Sequence, residues 1–375
     1  MTSEASHDRP HTQSCCSGKS NGAVSPVIRA GLVGVTGYTG MELVRLLEGH
    51  PGMELVRVTS RKEAGQALVQ LYPFLQGFRT GDLIVAEPDV ADLASACDVV
   101  FLAIPHGAAM NMGAELVRKG CRVVDLSADF RLRDRQVYEQ WYKVEHTEAE
   151  ALSEAVYGLP ELYADKVAHA RLIANPGCYP TASLLGLYPA LKEGLVETDG
   201  IVIDAKSGTT GAGRGNNTTS LFCEVSDTFR AYNLGKHRHT PEIEQELSCV
   251  AGQEITVSFN THLLPINRGI LATIYTRLKH ADVSLESVHE AYCRVYAGHS
   301  FVRVLPLGKL PELRSVRGTM FCDIALVHDP RTRRLIIVST IDNLCRGASG
   351  QALANANLMT GLPLEAGLRL APLVP

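Results

Sequence analysis

Val27-Ile28-Arg29-Ala30-Gly31-Leu32-Val33-Gly34-Val35-Thr36-Gly37-Tyr38-Thr39-Gly40 runs directly into the apolar stretch Met41 to Leu47. The opening residues carry a short strand pattern, Gly34 to Gly40 hold glycines in G-x-x-G-x-x-G spacing, and the last stretch has the pattern of a helix. Strand, glycine turn and helix in that order present backbone amides at a helix N-terminus, with no side chains to block a pyrophosphate. The spacing is one residue longer than the common dinucleotide fingerprint. A tight turn whose glycines serve only close packing is the competing reading; the flanking strand and helix favour a bound dinucleotide.

Outward from this stretch, further strands are expected at Leu55 to Thr59, Val99 to Ile104 and Val123 to Leu126, with a helix at Ala108 to Lys119. Alternating strands and helices predict an α/β fold with a doubly wound parallel sheet. After Cys178 the rhythm changes. A helix from Tyr179 to Lys192 leads to a strand at Ile201 to Ala205 and a glycine-rich loop from Ser207 to Gly215. Strand patterns then dominate at Glu254 to Phe259, Ile270 to Leu278, Phe321 to Val327 and Leu335 to Ile341, interrupted by a helix near Leu285 to Tyr296. This predicts an α+β domain with an antiparallel sheet. The last helical segment, Gly347 to Met359, is expected to pack back on the first domain. The resulting division is residues 27–177 plus 343–375 for the first domain and 178–342 for the second, with residues 1–26 a disordered extension.

Composition narrows the function. A chain of 375 residues with 45% hydrophobic and 20% charged residues suits about two globular domains. The net charge of -4 gives no basic signature for nucleic acid. No apolar run approaches the ~20 residues of a membrane helix, so a soluble, cytoplasmic protein is expected. The ten cysteines are scattered without C-x-x-C pairs, which reads as reduced thiols and no metal site. Met1 to Pro26 is polar, holds Cys15 and Cys16, and lacks a signal-peptide core.

Chemistry concentrates in four places. Thr59-Ser60-Arg61-Lys62 ends the second strand where an NAD enzyme usually carries an acid, and Ser60 and Arg61 could instead hold a 2′-phosphate, which favours NADP. Asn175-Pro176-Gly177-Cys178-Tyr179-Pro180-Thr181 opens a helix, because Pro180 fits a first turn, and so sets Cys178 at a helix N-terminus. Helix amides there lower a thiol pKa and suit Cys178 as nucleophile. Lys236-His237-Arg238-His239-Thr240-Pro241-Glu242 supplies two imidazoles for proton transfer and a cationic loop suited to a substrate anion. Ser207-Gly208-Thr209-Thr210-Gly211-Ala212-Gly213-Arg214 could bring backbone donors and a guanidinium to an anion, or be a mobile connection.

With Leu102-Ala103-Ile104-Pro105-His106-Gly107, Asp125-Leu126-Ser127-Ala128-Asp129-Phe130-Arg131 and Ile341-Asp342-Asn343-Leu344 added, this ordered set resembles the N-acetyl-gamma-glutamyl-phosphate reductase family from Val27 to the C-terminus. The resemblance implies a Rossmann-like domain joined to a dehydrogenase-like α+β substrate and dimerisation domain, and a homo-oligomer, dimer or tetramer. It implies NADP(H) as cofactor and the step of arginine biosynthesis that makes N-acetylglutamate semialdehyde from the acyl phosphate with release of phosphate. Carried over by motif, Cys178 is the nucleophile and His237 the acid/base, with His239 the alternate and a substrate contact. Cofactor contacts fall at Gly34, Thr36, Gly37, Tyr38, Thr39, Gly40, Ser60, Arg61, Ser207, Gly208 and Asn343, and Arg131 is the expected substrate-anion contact. Two rivals stand beside this reading: a reductase of carrier-bound aminoadipyl or glutamyl phosphate, and a non-catalytic NADP sensor.

Overall fold

The structure, a computed structural model, describes residues 27–215 and 218–374; the expected N-terminal extension lies outside them. The strands are β1 (Ile28–Val33), β2 (Met53–Thr59), β3 (Val85–Ala86), β4 (Val99–Leu102), β5 (Arg122–Asp125), β6 (Val156–Tyr157) and β7 (Leu172–Ala174), followed by β8 (Ile201–Ser207), β9 (Arg230–Tyr232), β10 (Val257–Leu263), β11 (Ile270–Arg277), β12 (Val302–Val304), β13 (Cys322–Asp329) and β14 (Arg334–Ile341).

The first sheet has the order β3-β2-β1-β4-β5-β7-β6, and every pairing in it is parallel. Its strands are apolar on both faces, as β4 shows with all of Val99 to Leu102 buried, because helices cover both sides. The strand order turns back at β1 and β4. That reversal opens a crevice at the carboxyl ends of the strands, where an α/β sheet binds ligands. The glycine turn after β1 lies at that point.

The second sheet has the order β12-β13-β14-β11-β8-β10-β9. It is mixed, where an antiparallel sheet was expected: β8 pairs with β10 in parallel, and β12 with β13 likewise. The physical reason lies between β8 and β10. That connection contains the helix Thr240–Ala251, long enough to cross over and return in the same direction.

Helix Cys178–Lys192 is apolar almost all round. It lies in one core with the inward residues of the second sheet, such as Ile203, Ile274 and Ile337. Helix Gly350–Met359 returns to the first sheet, where Leu353, Ala356 and Met359 share a core with Leu32 and Phe101. Between β14 and that helix, Cys345–Ser349 forms a π-helical turn, a device that recurs at functional sites.

Candidate active site

A cleft of about 1290 Å³ opens between the two sheets. Its walls include Gly34, Thr36, Gly37, Tyr38, Thr39, Ser60, Arg61, Arg131, Cys178, Ser207, Gly208, His237, His239 and Asn343. Of the residues singled out from the sequence, Gly40 alone is not in the wall. A Cβ there would stand 2.4 Å from the Gly34 carbonyl oxygen, so this glycine lets the helix pack on the turn. Gly34 has φ +90°, and a Cβ on it would strike the Ala103 carbonyl oxygen at 2.3 Å. It is required by both conformation and contact.

Helix Tyr38–Glu48 starts at Gly37 with no side-chain cap and no acid in its first turn. Its orphan amides therefore stay available to an anion. At the neighbouring strand end, Ser60 is buried, while Arg61 and Lys62 are exposed and make no ion pair among the described residues. Glu63, the next acid along, accepts a bond from the Gln66 amide at 3.0 Å. An unneutralised cationic corner beside uncapped amides fits the phosphates of a dinucleotide and the 2′-phosphate of NADP.

The loop after β8 closes over this end. Arg214 donates from Nη1 to the Thr36 carbonyl at 3.1 Å and to the Tyr72 hydroxyl at 2.9 Å. Asn343 holds the same loop: its Oδ1 accepts the Gly269 amide at 2.8 Å, and its Nδ2 donates to Thr210 Oγ1 at 3.0 Å. Ser207 Oγ donates to the Gly208 carbonyl at 3.0 Å. The loop is thus a tethered wall, and Asn343 works through it.

At the other end, Gly177 is the N-cap of helix Cys178–Lys192, so Cys178 occupies its first turn. Gly347, in the π-helical turn, packs so closely that a Cβ on it would lie 2.6 Å from the Cys178 Cβ. Cys178 is half-buried, and burial pushes its thiol up to about 11, against the pull of Arg131 and of the Tyr179 amide. The sequence suggested a thiol lowered by the helix N-terminus. That pull is present, but desolvation outweighs it.

The two histidines divide their contacts. His237 Nδ1 accepts the His239 amide at 3.2 Å, which leaves the proton of a neutral His237 ring on Nε2. His239 packs on the peptide before Cys178, for a Cβ on Gly177 would stand 2.5 Å from its Nε2. Arg131 Nη1 faces that same Nε2 at 3.5 Å, and His239 Nδ1 is buried without a hydrogen-bond partner among the described residues. Burial, reinforced by Arg238, lowers His237 to about 4. Burial, then His237 and Arg131, holds His239 well below the ordinary imidazole range.

Arg131 is buried and largely committed. It donates from Nε to the Asn175 carbonyl at 2.8 Å and from Nη2 to the Leu126 carbonyl at 2.9 Å. Its Nη1 lies 3.4 Å from Glu242 Oε2. Glu242, buried, also accepts the Gly177 amide at 2.8 Å and the Tyr157 hydroxyl at 2.9 Å. Reading the sequence assigned no role to Glu242 or Tyr157. The only local sign was an acid in the first turn of a helix, which points to the dipole and not to a partner 65 residues away.

Two family models match the chain: the semialdehyde dehydrogenase NAD binding domain over residues 29–170 and the semialdehyde dehydrogenase dimerisation domain over residues 178–343. The fold is similar to that of aspartate semialdehyde dehydrogenase II from Vibrio cholerae, with TM-score 0.67 at 15% identity, covering 89% of this chain and 99% of that one. A structure described as aspartate semialdehyde dehydrogenase with NADP from Candida albicans gives TM-score 0.64 at 18% identity, over 91% and 99% of the two chains. At such identities these likenesses speak for the fold alone. Sequence relatives are far nearer. The N-acetyl-gamma-glutamyl-phosphate reductase of Desulforudis audaxviator is 52% identical over 93% of this chain and all of its own length. That of Pelotomaculum thermopropionicum is 49% identical over 93% and 99%. With about half its residues identical over 93% of its length, the chain belongs to the N-acetyl-gamma-glutamyl-phosphate reductase family.

Proposed function

We propose that this protein reduces N-acetylglutamyl 5-phosphate to N-acetylglutamate 5-semialdehyde with NADPH, releasing phosphate, in the making of arginine. The observation that carries the chemistry is a thiol at a helix N-terminus in the cleft, with an imidazole nitrogen against the preceding residue.

Cys178 Sγ attacks the acyl carbon, and the thiol proton passes to His239 Nε2. Resting thiol and imidazole are both neutral, since one is raised and the other lowered. The anionic substrate therefore meets no thiolate, and charge separates only as the S–C bond forms. The amides of Cys178 and Tyr179 lie at the helix N-terminus, where an oxyanion is stabilised. The bond to phosphate breaks, and an acyl thioester on Cys178 remains. When bound, the nicotinamide supplies the hydride for that carbon. His237, with its proton on Nε2, protonates the resulting oxygen to give a thiohemiacetal; as the C–S bond breaks, that proton returns to His237, the aldehyde carbonyl forms, and the proton held on His239 goes back to the sulfur to restore the thiol.

The cofactor would be held by the uncapped amides after Gly37, by Ser60 and Arg61 at the 2′-phosphate, and by the tethered Ser207 to Arg214 loop. The cation pair at Arg61 and Lys62, with no acid bonded to it, supports NADP over NAD. The family's dimerisation model over residues 178–343 supports a homo-oligomer, dimer or tetramer. A cytoplasmic setting suits free thiols and this metabolic family. No helix among the described residues is long and apolar enough to cross a membrane.

The test is NADPH formation from NADP, phosphate and N-acetylglutamate semialdehyde, with aspartate semialdehyde alongside and Cys178→Ala as control. Phosphate-dependent activity on the acetylated aldehyde that vanishes in the variant supports the reading. No activity overturns the substrate, and carrier-bound acyl phosphates or a sensor role take its place.

A further inference from the structure

We infer that Arg238 is the residue that recognises the substrate's α-carboxylate, the group that the reaction leaves untouched. This rests on the reaction proposed above. N-acetylglutamyl phosphate and its aldehyde product carry that carboxylate at the end of the molecule opposite the reacting carbon. A cleft that selects them needs a cation free to meet it.

The cations in the wall separate by what they already hold. Arg131 is buried against the Glu242 carboxylate and two carbonyls. Arg214 is tied through Nη1 to Thr36 and Tyr72 above the glycine turn, and Arg61 and Lys62 stand at the end of β2, on the cofactor side. Arg230 donates to the carbonyls of Glu224 and Thr219. Arg238 differs. It lies in the cleft wall between His237 and His239 on the side of Cys178, is exposed, and among the described residues its guanidinium has no carboxylate within ion-pair distance and meets only an imidazole and an aromatic ring.

Arg238 is nonetheless held in place. Its guanidinium lies over the Tyr142 ring, 5.4 Å from the centroid, and the Tyr142 hydroxyl donates to the Arg238 carbonyl at 3.4 Å. Its Nη1 meets His106 Nε2. Burial, then Arg238 itself, lowers the His106 pKa, so that ring is an uncharged acceptor and leaves the guanidinium charge unneutralised. A cation aimed by an aromatic face and a neutral imidazole, in a cleft and without a counter-ion, is preorganised for a planar carboxylate. His106 is then the placeholder that the carboxylate replaces.

The alternative is that Arg238 acts only through the histidines, whose pKa values it helps to lower. The two roles separate with a pair of aldehydes: N-acetylglutamate semialdehyde, and 4-acetamidobutanal, which lacks only the carboxylate. In the phosphate-dependent oxidation, wild type should prefer the first in kcat/KM. Arg238→Met should lose about 10- to 100-fold on the first, mostly in KM, and less than about threefold on the second, as expected for one charge-assisted pair. Arg238→Lys should fall between wild type and Arg238→Met on the first substrate. Equal losses on both aldehydes, with a displaced pH profile, would overturn the assignment and leave Arg238 a tuner of the histidines. Unchanged kinetics would overturn it too. A wild type that turns over neither aldehyde defeats the parent reaction and this inference together, whereas equal losses defeat the inference alone.

Discussion

Replacing Gly177 with alanine adds one methyl group at the point where the helix of Cys178 meets His239, the pair proposed as nucleophile and base. The new Cβ would stand 2.5 Å from His239 Nε2 and 2.9 Å from the ring carbons Cδ2 and Cε1. Unstrained contacts of this kind sit at roughly 3.5 Å, so the ring must retreat by about 1 Å. On one side the retreat is limited: the ring's Nδ1 is buried, and Tyr179 and His237 lie at centroid distances of 6.0 and 5.0 Å. A misplacement of about 1 Å in a catalytic group costs about 100-fold in rate. Gly177→Ala should therefore lower kcat by about 30- to 100-fold, that is by ~2–3 kcal/mol of barrier. The backbone tolerates the change, since φ is −68° and ψ 155°. Loss of a good N-cap residue should cost only about 1 kcal/mol of stability. NADPH affinity, read from nucleotide fluorescence, should not move. The decisive comparison is a double-mutant cycle with His239→Ala, which removes the obstructed ring. If the clash is the mechanism, the double variant is no slower than His239→Ala alone. A kcat within threefold of wild type for Gly177→Ala, or additive losses in the cycle, would refute the reasoning.

Three further outcomes follow from the same geometry. Arg61→Ala should weaken NADPH binding by about 10- to 100-fold and leave NADH binding within a factor of about two; equal weakening by titration of both nucleotides would remove the 2′-phosphate from Arg61. Arg131→Met should leave Glu242 buried without its cation and lower unfolding stability by about 3–5 kcal/mol in denaturant melts, and a loss under about 1 kcal/mol would show that the pair is not coupled as drawn. Because the free enzyme's thiol is pushed up to about 11, deprotonation should deepen as pH rises. Alkylation of Cys178 by iodoacetamide, followed by mass spectrometry of its peptide, should then climb about tenfold per pH unit between 7 and 10; a plateau below pH 8 would mean that a thiolate already exists.

What could be read from the sequence was local or periodic. Gly177 and Pro180 bracket Cys178, and those residues alone mark a helix start. The strand-turn-helix run from Val27 to Leu47 shows the first sheet in the same way. Parallel pairing of β8 with β10 was hidden, because it depends on a crossover that periodicity does not reveal. β3 and β6 span two residues each, too short for any alternation to show. At the site, the pull of helix amides on Cys178 could be read from its position, but burial could not, and burial decides the sign of the thiol's shift. The bonds of Glu242 to Gly177 and Arg131 join residues 65 and 111 positions apart. Side-chain reach across such distances leaves no periodic trace.

These long bonds also cross between the two halves, beside apolar clusters that join Phe301 and Met320 to Leu353 and Ala356 and Tyr157 and Leu159 to Ile243 and Leu247. Glu42, on the helix that begins at the glycine turn, meets Arg268, which precedes β11, at 2.6 Å. Arg131 and Arg133, following β5, reach Glu242 and Glu246 on helix Thr240–Ala251 at 3.4 and 2.8 Å. All three carboxylates are buried, with side-chain exposure of 1% or less. Buried ion pairs contribute little net stability relative to apolar packing, but each tolerates only one geometry. Apolar packing alone is non-directional, and the three guanidinium–carboxylate pairs add fixed distances between the halves. The same Glu242 that joins the halves accepts the Gly177 amide beside Cys178. Orientation of the two sheets and alignment of Cys178 with His239 are thus set by a shared set of bonds that meet at Glu242.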